Sequence, residues 1–219
     1  MTGSEDLGQG LRSGGAEPNL ERRLGALHEE LARLRDQVHE GFARLTGQLP
    51  PPPGASAADT TADMALIKAA VEDINEQRSQ SDVLHTLVNR ASSFAPRIAF
   101  FVIKNERVTG WRARGLEGTV GDDTIREISL PLSEDTLLGE AARSRSVWSG
   151  GAGAHAGDRA LFGRFGGEPP VRMVAVPLVA RDKAVAVLYA DSAGLDAESI
   201  NLEALETLVR VSGMAVELL

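Results

Sequence analysis

Cysteine is absent from this chain of 219 residues. That excludes disulfides, thiolate metal sites and a cysteine nucleophile. It also accords with a reducing compartment. Long apolar runs are missing: none approaches the ~20 residues needed to span a bilayer. The opening MTGSEDLGQG lacks the basic start and apolar core of a secretory signal. The chain is therefore expected to be cytoplasmic, with no membrane role. Basic clusters are lacking too. The net charge is −8, and Arg outnumbers Lys twenty to three. We read that ratio as genome bias. An acidic chain without a basic patch is a poor partner for nucleic acid or anionic membranes. No GxGxxG and no Gly-Lys-Ser/Thr occurs, so no phosphate loop is expected.

What is present is organised around residues 171–192, VRMVAVPLVARDKAVAVLYADS. Two aliphatic runs flank the polar break Arg181-Asp182-Lys183, the pattern of a β-hairpin. The second run, residues 184–190, is apolar on both alternating faces. A sheet with one wet face would alternate, so this sheet should be covered on both sides. Helices supply one cover. A helix, a loop or a bound small molecule could supply the other.

Taken in order, residues 1–18 are polar, Gly-rich and without period, as in disordered tails. Residues 19–49 carry Leu20, Leu24, Leu27, Leu31, Leu34, Val38 and Leu45 at heptad spacing. Glu30 and Arg35 could pair across a parallel dimer. The spacing predicts a coiled-coil seam and a homodimer, weakening at Gly41 and Phe42. The alternative is an amphipathic helix packed on its own chain. Residues 50–62 open with Pro50 to Pro53 and read as a linker.

Residues 63–219 carry the domain. Met64, Ile67, Val71 and Ile74 mark one helix, with Thr60 and Asp63 as a capping pair. Val83, Leu84, Leu87, Val88 and Ala91 mark a second, capped by Ser79 or Ser81 and ended by Pro96. Strands are expected over 97–104 and 107–114, with a turn at Asn105-Glu106. Residues 115–123 read as a loop and 125–132 as a strand. A helix capped by Ser133 should cover 134–144, and Val147-Trp148 should form a brief strand. Residues 149–170 hold seven glycines and read as a long lid-like loop. Asp196 should cap a last helix over 197–219.

This order implies an α+β fold with one antiparallel sheet. Two segments carry a resemblance to a known family. ISLPLSEDTLLGEAARSRSVW resembles the strand and short helix of GAF domains. MVAVPLVARDKAVAVLYADS resembles their terminal hairpin, with its Val-Pro-Leu, polar turn and Leu-Tyr-x-Asp ending. The resemblance covers about 64–219. It implies a six-stranded antiparallel sheet flanked by helices, with terminal helices on one face and a small-molecule pocket on the other. It implies a sensor scaffold, not a particular ligand. Methionine-sulfoxide reductases of the family need cysteines, as do many of its bilin binders. The Asn-Lys…Phe-Asp signature of its cyclic-GMP binders lacks its Asn-Lys here.

Candidate site residues follow. His28, His39, His85 and His155 lack metal-site spacing. His155 with Asp158 and Arg159 could contact a ligand from a mobile lid; the competing reading is a solvated loop. Arg112 and Arg114 share a strand face and could clamp an anion, or line a solvated edge. Trp111 should face the other way, into the core. Tyr189 ends the hairpin and is explained by packing or by a ligand contact. No nucleophile or metal set is legible, so no enzyme is expected, and no cofactor is indicated. The expectation is a regulatory module: a small-molecule sensor signalling to a partner protein not identified by sequence, or a ligand-free scaffold with a collapsed pocket. No catalytic or DNA-binding output domain is expected to be joined to it, so its signal is expected to leave by protein contact.

Overall fold

Six strands, every one antiparallel to its neighbour, carry the fold in a computed structural model that describes residues 57–116, 121–165 and 169–219. They are β1 (Arg97–Lys104), β2 (Arg107–Arg114), β3 (Ser129–Pro131), β4 (Trp148–Gly150), β5 (Met173–Ala180) and β6 (Lys183–Asp191). The sheet order is β3-β2-β1-β6-β5-β4. The helices are α1 (Ala57–Asn75), α2 (Gln80–Ala91), α3 (Gly121–Arg126), α4 (Leu137–Ser144), α5 (Arg159–Phe165) and α6 (Leu202–Leu218). This is the expected α+β architecture. The expected tail, seam (Leu20 to Leu45) and most of the linker lie outside the described residues.

Both hairpins close through the same turn. Asn105 and Glu106 have φ of 51° and 57°, and Arg181 and Asp182 have 49° and 60°. Two successive left-handed residues make the turn whose twist matches paired strands. In the β5–β6 turn, Glu217 accepts from the Arg181 amide at 2.5 Å, and Arg145 donates to the Asp182 carbonyl at 3.0 Å.

The sheet buries both faces, as its apolar runs require. On one face Ile98, Phe100, Val174, Val176, Leu188 and Ala190 pack against α1, α2 and α6. On the other, Ala99, Phe101, Met173, Ala175, Val187 and Tyr189 pack against Ile125 of α3, Leu137, Leu138 and Ala141 of α4, and Leu161 and Phe165 of α5. The second cover is therefore three short helices and not a loop.

Several local expectations are corrected. The strand expected over 125–132 shrinks to β3, and α3 takes Ile125 and Arg126. The reason lies in β2. Gly110 donates to the Ile128 carbonyl at 2.9 Å, and a Cβ at Gly110 would sit 1.8 Å from the Ile125 carbonyl oxygen. Only glycine lets the chain pass so close, so α3 crosses where a longer β3 would have run. α4 starts at Leu137 because Thr136, not Ser133, caps it by accepting from the Gly139 amide at 3.0 Å. The last helix starts at Leu202, capped by Asn201; Asp196 instead precedes a single 3-10 turn, Ala197–Ser199. Helix α1 already runs through Thr60, and Asp63 accepts from Asn201 Nδ2 at 2.8 Å instead of capping. Ser79 caps α2 as expected, although α2 ends at Ala91, ahead of Pro96.

Candidate functional site

The first and last strands in the chain, β1 and β6, lie side by side, and their polar ends meet. Arg97 opens β1 and is in direct register with Asp191, which ends β6. Both are buried. Arg97 Nε donates to both Asp191 carboxylate oxygens, at 2.9 and 2.8 Å. The Tyr189 hydroxyl donates to Asp191 Oδ2 at 2.5 Å, and the Ala193 amide donates to Oδ1 at 2.8 Å. Burial, then the neighbouring Asp191 charge, pushes the Tyr189 phenol well above its ordinary value, so it stays a donor. The Phe165 ring lies against this set, 5.1 Å from the Tyr189 ring and 5.6 Å from the Arg97 guanidinium carbon. The contact seats α5 on the sheet.

A second cluster fastens the segment before α5 to the start of α4. Asp135 receives His155 Nδ1 at 2.8 Å and the Ala156 amide at 3.3 Å, and its backbone carbonyl receives the Gly157 amide at 3.0 Å. In return, Asp158 Oδ1 accepts from the Leu137 amide at 3.0 Å. That amide is among the unpaired donors of the first turn of α4, so Asp158 caps it from outside the helix. Gly157 fits because a Cβ there would lie 2.8 Å from both the Asp135 carbonyl oxygen and Thr136 Cγ2. His155 Nε2 lies 3.1 Å from Glu140 Oε2, off line for a hydrogen bond, and its ring is 5.3 Å from the Trp148 ring. The clasp is thus polar, in contrast to the apolar underside of α5.

Two carboxylates of this cluster are pushed in opposite directions. The hydrogen bond from His155 chiefly lowers the Asp135 carboxyl below its usual range. Burial raises the Asp158 carboxyl, partly opposed by the bond from Leu137. Asp158 has 0% exposure, and its Oδ2 has no hydrogen-bond partner. A carboxyl raised on folding supports the fold while protonated and loses that support as pH rises through its folded value. Asp158→Asn keeps the acceptor for Leu137 and removes the charge. Its unfolding free energy relative to the parent should therefore improve between pH 4 and pH 7, by about 1–3 kcal/mol, the scale of an unsatisfied buried group. Urea unfolding at the two pH values measures it. An equal or larger loss at pH 7 would show that Asp158 is not strained by burial.

The sequence-selected residues divide between the two faces. His155, Asp158 and Tyr189 lie on the α4–α5 side, where a pocket was expected. Arg159 begins α5 but is exposed. Arg112 and Arg114 lie on the other face, in register with Phe100 and Ile98. Their expected role over a lid-side ligand is corrected. The anion they hold is the chain's own Asp122, 3.5 Å from Arg112 Nε and 3.4 Å from Arg114 Nη1. Arg114 also donates to Asn89 Oδ1 at 2.7 Å. Trp111 does not face away from them. The register shifts between Phe100 and Phe101, and the bulge puts Trp111 beside Arg112, edge-on to Phe100 and His85. Burial, then the Arg112 charge, lowers the His85 imidazole below its usual value.

Sequence reasoning missed Arg97, Asp135 and Glu140. For Arg97 a signal existed: a basic residue heads β1, RIAFFVIK, and an acidic residue, Asp191, ends β6, KAVAVLYAD, with Lys104 and Lys183 at the opposite ends. Among the described residues no group of His, Asp and Glu is placed to hold a metal ion. A groove of about 530 Å³ lies on the opposite face, lined by Leu84, Val102 and Val216, and so does not belong to this site.

A family model described as GAF domain matches residues 77–217. No curated protein matches. Among solved structures, the chain is similar to the GAF domain of a phosphoenolpyruvate-protein phosphotransferase from Acinetobacter, with 20% identity, TM-score 0.53, and 71% of this chain and 92% of that one covered. The corresponding domain from Coxiella burnetii gives 12% identity and TM-score 0.57, covering 70% and 92%. Free methionine-R-sulfoxide reductase from Neisseria meningitidis, in complex with its substrate, gives 16% identity and TM-score 0.54, covering 74% and 93%. At these identities the likeness shows the fold.

Proposed function

The chain belongs to the GAF domain family, and from that premise we propose a non-enzymatic regulatory module that senses a small molecule on the sheet face beneath residues 151–165 and signals by contact with another protein. One observation carries the reading. Asp158 belongs to this glycine-bearing cover and is buried on its underside, yet its Oδ2 has no hydrogen-bond partner. Buried polar groups are almost always satisfied, so an exception asks for a cause. The cover is short, and polar contacts to Asp135 and Leu137 fasten one end. Such a piece can open without dismantling the sheet. Reduction of methionine sulfoxide belongs to the relative named above. A chain without cysteine lacks the thiol that this chemistry uses. Homodimerisation through the Leu20–Leu45 stripe remains part of the proposal.

A second reading has its own observation. Leu161, Phe165 and Tyr189 are 0–1% exposed and fill the face with the chain's own side chains. That packing favours an interaction scaffold with a collapsed pocket. Native mass spectrometry of protein purified from its own host separates the two. A sensor should retain a small-molecule adduct that is lost on collisional activation. Bare chains at every activation energy would favour the scaffold.

A further inference from the structure

Charge balance in the covered face limits what it can accept. Arg97 and Asp191 neutralise one another at 2.8–2.9 Å. The Tyr189 hydroxyl is spent on Asp191. The one imidazole nearby is bracketed by Asp135 and Glu140. Arg143 donates to the backbone carbonyls of Leu132 and Glu134, Arg164 pairs with Glu127 at 3.2 Å, and Arg159 is exposed. Asp158 is left with a single neutral donor, the Leu137 amide, for two carboxylate oxygens. Buried carboxylates are rarely left without a cation or further donors.

Resting on the sensor reading above, we infer that the ligand of this face is a small organic cation whose N–H groups bond Asp158 Oδ2, and not an anion. The expectation from Arg112 and Arg114 was the reverse. Those guanidiniums lie on the other side of the sheet and already hold Asp122. No unspent cation remains among the described residues that line the covered face, whereas one acceptor does. An ammonium or guanidinium group supplies both the missing donor and the missing charge, and such bonds are the strong ones. The burial that raises the Asp158 carboxyl would be compensated by the incoming charge. Aliphatic Leu137 and Leu161 pack on the same face and suit a short alkyl body.

The test is amide NMR on the full chain at constant ionic strength, with four probes: methylammonium, agmatine, acetate and acetamide. Tetramethylammonium, a cation without N–H, is the control. Methylammonium or agmatine should give saturable shifts at Leu137 and across 156–161, and Asp158→Asn should weaken them at least tenfold. Shifts with acetate or acetamide but not with the cations would overturn the cation inference and leave the sensor reading standing. Equal shifts with tetramethylammonium would overturn the hydrogen bond to Oδ2. If no probe of any class moves these amides, the cation inference falls, while a retained adduct in native mass spectrometry still decides the sensor reading separately. Should the variant fail to fold, the ranking of probes on the parent chain still decides between cation and anion.

Discussion

Asp191→Ala is expected to cost about 3–5 kcal/mol, the usual penalty for removing one partner of a buried ion pair. The carboxylate is fully buried and receives Arg97, Tyr189 and the Ala193 amide together. Its removal takes the counter-charge from a guanidinium at 2% exposure and the acceptor from a phenol at 0%. The pair also staples β1 to β6, the neighbours at the centre of the sheet. Arg97→Met should cost a similar amount for the mirror reason, since it leaves the carboxylate uncompensated. The double variant Arg97→Met/Asp191→Leu should be less damaging than the two single losses added, because both buried charges leave at once. Tyr189→Phe removes one bond of the set and should cost only about 1–2 kcal/mol. Urea unfolding gives all four numbers. A loss below about 1 kcal/mol for Asp191→Ala would mean that solvent reaches the pair and that it does not organise the site.

The paired strands were legible because their cause is local. An aliphatic run broken by two residues able to turn leaves few other structures, and β1–β2 and β5–β6 fall where their residues indicate. The helical cover was not legible for an equally physical reason. Residues 149–170 are so rich in glycine that no apolar period shows, yet Leu161 and Phe165, four apart, sit on one face of α5 and bury completely. Phe100 and Phe101 hide a different fact. A bulge opposite them breaks the two-residue period of β2, and no count of alternating positions would place Trp111 on the same side as Arg112. Of the site, His155, Asp158 and Tyr189 could be singled out from the sequence, and they lie on one side of the sheet in two separate clusters, around Asp135 and around Asp191. Arg97 and Asp135 were missed because their roles depend on register between distant strands and on a clasp between two loops. Neither leaves a pattern within any short window of sequence.

The same division between local and distant contacts decides how the cover behaves. Phe165→Ala removes the ring that lies against Arg97 and Tyr189, a loss of about 3–5 kcal/mol for a fully buried phenylalanine. Where that loss falls is the informative part. α5 is seven residues long, and the chain enters it through the His155–Asp135 clasp. If the cover opens as a unit, the loss should be confined to it. Hydrogen exchange across 156–165 should then rise about 100-fold, the equivalent of roughly 3 kcal/mol. Exchange in β5 and β6 should rise far less, because their ladder and the opposite core of Leu87, Leu188 and Leu205 are untouched. If instead the hairpin loses protection in step with α5, the cover unfolds only with the whole domain. The face could then admit no ligand without global unfolding, and the scaffold reading would replace the sensor. Because the variant keeps the Asp158 carboxylate, this measurement tests the motion of the cover separately from the ligand chemistry of that group.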